Sequence, residues 1–193
     1  MQSIQTVSEN TIYVGASDRR LAKFENLFPI PRGVSYNAYV ILDEKTALLD
    51  TADASVGAQF LENVAAALDG RKLDYLIVDH MEPDHAAMIE AVLVRWPDLR
   101  LVVNAKTLPM LKMYFPTDNA AIDDALVVKE GDTLDLGKHK LTFVMAPMVH
   151  WPEVMMTFDT TTGTLFSADA FGTFGALEGA LFADEVDFAG KWL

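Results

Sequence analysis

The apolar run Leu73-Asp74-Tyr75-Leu76-Ile77-Val78 breaks directly into Asp79-His80-Met81-Glu82-Pro83-Asp84-His85. A buried strand that ends in a loop with four metal-binding side chains in six residues aims several ligands at one point. That junction calls for a layered sheet protein whose strand ends build a site. The donor set also has a character. Two imidazoles with a Glu and an Asp favour a harder metal than an all-histidine set would.

The rest of the chain fits around this junction. Thr11–Val14, Tyr36–Leu42 and Thr46–Leu49 read as strands, the last two joined by a turn at Asp43-Glu44-Lys45. From Ser55 to Leu68 the apolar residues Val56, Phe60, Leu61, Val64, Ala65 and Leu68 recur at helical spacing, closed by Asp69-Gly70. His85–Val94 suits a helix, Leu101–Asn104 a strand and Thr107–Tyr114 a short helix. After Asp118 the pattern returns to strands at Ala125–Val128, Thr133–Leu134, Lys140–Ala146, Val154–Phe158 and Thr164–Ser167, with turns at Gly131-Asp132 and Gly137-Lys138. No linker or repeat interrupts this, so 1–193 reads as a single domain of the α/β layered class.

Composition excludes several functions. A net charge of −13 argues against nucleic acid and against anionic lipid. The absence of cysteine rules out disulfides, thiolate-bound zinc, iron–sulfur clusters and a cysteine nucleophile. No apolar run approaches a membrane span and the N-terminus lacks signal-peptide character, so a cytoplasmic protein is expected. Gly172-Thr173-Phe174-Gly175 lacks Rossmann or P-loop spacing, and no Gly-x-Ser-x-Gly elbow exists. The methionines of Met145–Met148 and Met155-Met156 read as core filler.

Distant partners for the loop come from strand ends. Of the other histidines, His139 lies between two lysines beside a glycine turn and reads as a solvated hairpin position. His150 follows the strand Lys140–Ala146 and the breaker Pro147, and stands with the loop as a ligand candidate. Asp169 ends the strand Leu165–Ala168, where it is either a turn aspartate or a carboxylate able to bridge two metals. Asp50, ending Thr46–Leu49, reads as a supporting or structural residue. Within the loop Pro83 splays Glu82 from Asp84, although Asp84 could instead cap the following helix. Alternating residues can serve two ions, and mixed imidazole and carboxylate donors suit iron or manganese.

His80-x-Glu82-x-Asp84-His85, then His150, then Asp169 resembles the metallo-β-lactamase-like domain of flavodiiron proteins (A-type flavoproteins). Pro147–Glu153 and Leu165–Gly172 resemble family segments too, and the resemblance runs over essentially the whole chain. Glu82 is the discriminating letter, because hydrolases of the superfamily carry histidine there. The resemblance implies an αββα sandwich with a di-iron site at its edge. His80, Glu82 and His150 would hold the first iron, Asp84 and His85 the second, and Asp169 would bridge them. It implies reduction of O2 to water or NO to N2O, with electrons from FMN on a flavodoxin-like domain, and head-to-tail homodimers.

Two departures qualify this. The family pattern has a further histidine for the second iron beyond Asp169, and none follows His150 here. The flavodoxin-like domain is absent from the sequence, which stops on Trp192-Leu193. The chain therefore reads as the first part of a longer protein, its sandwich lacking the last elements and its apolar surface open to self-association. An intact first metal position and a weak second one are expected. Two other readings stay open: a metallo-β-lactamase-fold hydrolase using a metal-bound hydroxide, and a non-catalytic metal-binding fragment.

Overall fold

A computed structural model describes residues 3–115 and 120–185. The terminal Trp192-Leu193 noted above lies outside the described residues. Short strands open the chain: β1 (Gln5–Ser8), β2 (Thr11–Tyr13), β3 (Ala16–Asp18), the hairpin β4 (Lys23–Phe24) and β5 (Phe28–Pro29), and β6 (Val34–Tyr36). Then come β7 (Tyr39–Leu42), β8 (Thr46–Leu49), α1 (Gly57–Leu68), β9 (Tyr75–Ile77), α2 (Pro83–Ala86), α3 (Ile89–Arg95), β10 (Arg100–Asn104), α4 (Thr107–Tyr114) and α5 (Ala120–Asp123). The strands β11 (Leu126–Val128), β12 (Thr133–Asp135), β13 (Lys140–Met145), β14 (Met155–Asp159) and β15 (Thr164–Phe166) complete the set.

Two sheets face each other, one seven-stranded in the order β1-β2-β7-β8-β9-β10-β11 and one four-stranded in the order β12-β13-β14-β15. Strand alternation assigns each residue to a layer. Leu48, Leu76, Leu101 and Val103 point to the helices, where they meet Phe60, Val64, Ile89 and Leu111. Ala47, Leu49, Ile77 and Val102 point the other way, onto Leu141, Phe143, Met155 and Phe166 of the second sheet. Because β8, β9 and β10 are buried on both faces, they read as continuous apolar runs. Helices cover only one outer face among the described residues. On the other, Val144 and Phe158 stay half-buried and Leu165 exposed.

α1 begins after a 3₁₀ turn in which the Asp53 carboxylate accepts the Ser55 N–H at 2.7 Å, and it ends where Asp69 turns left-handed at φ 46°. The predicted strand Tyr36–Leu42 divides at Asn37-Ala38, because β6 pairs with β3 while β7 joins the large sheet. The predicted helix His85–Val94 likewise divides into α2 and α3. No helix among the described residues is long and apolar enough to cross a membrane.

His139 is not solvated. It is fully buried, its Nδ1 lies 2.8 Å from Asp159 Oδ2, and its backbone N–H donates to Asp43 Oδ2 at 2.6 Å. The β12–β13 tip tucks against the β7–β8 turn, where Lys45 N–H donates to Leu136 O. That contact removes water from a position that looks exposed in sequence. His139→Ala leaves the buried Asp159 short of a partner and should lower unfolding stability by about 3 kcal/mol, read as a urea midpoint shift. The methionines divide as well: Met155 is core, whereas Met148 is 69% exposed.

Candidate metal centre

β8, β9 and β10 run parallel, so their C-terminal ends meet at one edge of the large sheet. Asp50, the Asp79–His85 loop and Asn104 all emerge there. β14 brings the second sheet to the same edge, with Met155 N–H donating to Asp79 O at 3.0 Å and Thr157 Oγ1 donating to Asp79 Oδ1 at 2.8 Å. The β13–β14 connection carries His150, and the end of β15 leads to Asp169.

Two donor groups result. His80, Glu82, His150 and Asp169 form one, and Asp84, His85 and Asp169 the other, each with ligand atoms within 4.8 Å of one another. In the first, His80 Nε2 lies 3.1 Å from Glu82 Oε2 and 3.4 Å from Asp169 Oδ2. His150 Nε2 lies 2.7 Å from Glu82 Oε2 and 3.0 Å from Asp169 Oδ2. Donors held about 2.1 Å from one ion are themselves about 3.0–3.4 Å apart in octahedral or tetrahedral geometry, so three of these four spacings suit a shared cation and the 2.7 Å pair would open slightly around one. In the second group His85 Nε2 lies 2.8 Å from Asp169 Oδ1 and 3.7 Å from Asp84 Oδ2. The two oxygens of Asp169 thus face different groups. Asp84 Oδ1 is buried with no partner, an orphan that a cation would satisfy.

The backbone is strained where these side chains are aimed. Asp50, Met148, Ala168 and Phe171 all hold left-handed φ values between 48° and 68°. Each costs on the order of 1 kcal/mol or more, and such strain persists where surrounding structure imposes it. Behind these donor groups lie carboxylates: Asp50 Oδ2 is 2.9 Å from His85 Nδ1, and Glu153 Oε1 is 2.7 Å from His80 Nδ1. Glu153 was not singled out in sequence, although it sits three residues after His150. Trp151 stands edge-on to His80 with ring centroids 5.3 Å apart.

Charges in the metal-free site balance through protons. Burial pushes His80 down, but hydrogen bonds to Asp169, Glu82 and Glu153 outweigh it and raise its pKa to about 10. His85 is raised well above the ordinary value against burial, by Asp169 and Asp50. Burial lifts Asp84 to about 6, while His80 and His85 hold Asp169 below the usual carboxylate range despite its burial. A raised histidine stabilises the metal-free fold fully below its unfolded value of 6.5, and that contribution is lost as pH rises through about 10. A cation must displace the same protons. Metal affinity should therefore rise between pH 6.5 and 9 by about tenfold per pH unit for each proton displaced. Calorimetry in buffers of different ionisation enthalpy counts those protons.

Above the ligands lies a cavity of about 460 Å³ lined by Glu82, Asp84, His85, His150 and Asp169 on one side. Phe24, Phe28 and Phe174 form an apolar roof, with Phe174 5.1 Å from Phe24 and 6.2 Å from Phe28 between ring centroids. The roof comes from the β4–β5 hairpin and the segment after Asp169, neither of which showed a strong pattern in sequence.

Residues 34–191 match the family described as ODP family beta lactamase. The chain is 38% identical over 185 residues to the anaerobic nitric oxide reductase flavorubredoxin of Klebsiella pneumoniae, covering 94% of this chain and 37% of that protein. Among solved structures, rubredoxin oxygen:oxidoreductase from Desulfovibrio gigas superposes with a TM-score of 0.91 at 30% identity, over 97% of this chain and 46% of that one. The flavodiiron protein from Giardia intestinalis superposes with a TM-score of 0.89 at 27% identity, over 98% and 45%. The chain thus spans less than half the length of the proteins it resembles.

Proposed function

We propose, on the premise that this chain belongs to the ODP family of beta lactamases, that it is the di-iron domain of a flavodiiron-type oxidoreductase. It reduces O2 to water, NO to N2O, or both, with electrons from FMN on another domain or chain. His80, Glu82 and His150 would hold the first iron, Asp84 and His85 the second, and Asp169 would serve both. The observation that carries this reading is the placing of Glu82 Oε2 between His80 and His150, at 3.1 and 2.7 Å. A carboxylate there, where the hydrolases use imidazole, gives three carboxylates to two cations and favours iron over zinc.

When bound, the two irons supply the redox chemistry, delivering electrons together to one diatomic substrate. The chain's own residues do the rest. Phe24, Phe28 and Phe174 give small apolar gases a compatible wall and limit water at the ligands. Asp50 keeps the His85 Nδ1 proton in place, so that Nε2 is presented to the metal. The exposed side chains of Phe28, Met148 and Phe171 near the site support docking of the FMN-bearing domain or protein, and the working assembly is a cytoplasmic homodimer.

The test is metal analysis with gas consumption. Iron-loaded chain, supplied with a reduced FMN-bearing flavodoxin, should consume O2 or NO. Zinc without iron, together with esterase activity, would overturn the proposal in favour of a hydrolase. Tight flavodoxin binding with no turnover would leave only a metal-binding module. The described residues offer four donor residues to the first position and three to the second. One tightly held ion and a second that chelator removes more easily are expected; two equally tight ions per chain would contradict this.

A further inference from the structure

Glu153 is 1% exposed, and nothing in the proposed ligand set uses it. Its Oε1 accepts the Met81 N–H at 3.1 Å and lies 2.7 Å from His80 Nδ1. An oxygen that accepts a backbone N–H is an acceptor for the imidazole as well. His80 Nδ1 therefore carries a proton, and Nε2 is the nitrogen left to face Glu82 and Asp169. The other oxygen, Oε2, is buried with no partner. A carboxylate satisfied at one oxygen in a dry site is costly unless its charge does work nearby, and among the described residues the imidazole it touches is that of His80. The loop bearing Glu153 is itself anchored, since Asn104 Nδ2 donates to Glu153 O and Asn104 Oδ1 accepts the Lys106 and Thr107 N–H groups.

The three imidazoles are not supported alike. Asp50 backs His85 through Oδ2 and accepts the Asp79 N–H on Oδ1 at 2.7 Å, so both of its oxygens are partnered, whereas Glu153 has one oxygen unpartnered. No carboxylate lies within 4 Å of His150 Nδ1 among the described residues, and the His150 side chain is 53% exposed. We propose that Glu153 is a positioning residue of the metal centre. It locks the tautomer and ring plane of His80 and strengthens Nε2 as a donor, so it sets the affinity and electron richness of the first position without touching the ion. Asp50 does the same for the second position only.

This rests on the metal-centre reading, and the experiment separates the two. Co(II) is titrated into the metal-free chain and followed by visible absorption, alongside thermal unfolding of the metal-free forms. Glu153→Gln preserves shape and an acceptor for Met81 but removes the charge. It is expected to weaken the first binding event 10–100-fold, shift its Co(II) absorption bands and raise the reduction potential of iron bound there. Its metal-free form should stay folded, with a midpoint lowered by no more than the part of the His80 stabilisation that Glu153 supplies. Asp50→Asn should spare the first event and weaken the second. Glu153→Asp, which keeps the charge, should recover most of the lost affinity. Normal first-event affinity in Glu153→Gln overturns the inference alone, as does equal impairment of the Gln and Asp variants. A Gln variant that unfolds without metal assigns Glu153 to folding and also overturns it. An unaltered chain that binds no cobalt overturns the metal-centre reading together with it.

Discussion

Asp169→Ala is expected to weaken metal retention at both positions at once, the largest effect of any single substitution in this chain. The reason is the division of its oxygens. Oδ2 faces His150 at 3.0 Å and His80 at 3.4 Å, while Oδ1 faces His85 at 2.8 Å. One truncation therefore removes a donor from each group, leaving three residues at the first position and only Asp84 and His85 at the second. A four-ligand site worth about 10–16 kcal/mol gives roughly 3 kcal/mol per ligand, or somewhat more than a hundredfold in affinity. The second position, already short of donors, should fall below detection by metal analysis after dialysis. The first should become labile to a mild chelator. Retention of either ion at unaltered affinity would remove Asp169 from the bridging role.

Glu82→Ala should act on one position only. Its Oε2 lies closer than Asp169 does to Nε2 of both His80 and His150, so the first position loses the donor at its centre and a full negative charge. Affinity there should fall by about two orders of magnitude, and what remains should shift in preference from iron toward zinc as imidazole comes to dominate the donors. Asp84, His85 and Asp169 are left in place, so the second position should change little. A drop at both positions would mean that the loop itself had collapsed. Unchanged iron content would mean that Glu82 is not a ligand. Set beside Asp169→Ala, the contrast distinguishes a bridging carboxylate from a terminal one.

Much of this was legible before folding was considered, for reasons that differ by element. Strands β8, β9 and β10 announced themselves because burial on both faces demands unbroken apolar runs, and α1 because its buried stripe repeats every three to four residues. The hairpin β4–β5 did not, since two-residue strands carry no period. His139 was misread because its flanking lysines are solvated while the ring between them is drawn under the β7–β8 turn, and alternation along an edge hairpin does not reveal what covers it. Met148, taken for core, stands on the surface because the loop that aims His150 turns it outward.

The order of residues determined the strand-to-loop junction at position 79, the kinds of donor gathered there and the harder metal they favour. Those properties are local: six residues of chain hold four candidate donors of three kinds whatever else surrounds them. Tertiary structure alone decided that Asp169 divides its oxygens between two groups, that Phe24 and Phe174 meet above them and that Glu153 stands behind His80. These contacts join residues 73 and 84 positions apart. They exist because parallel strands from one sheet and a hairpin from the other end at a common edge, a coincidence in space that no spacing along the chain encodes.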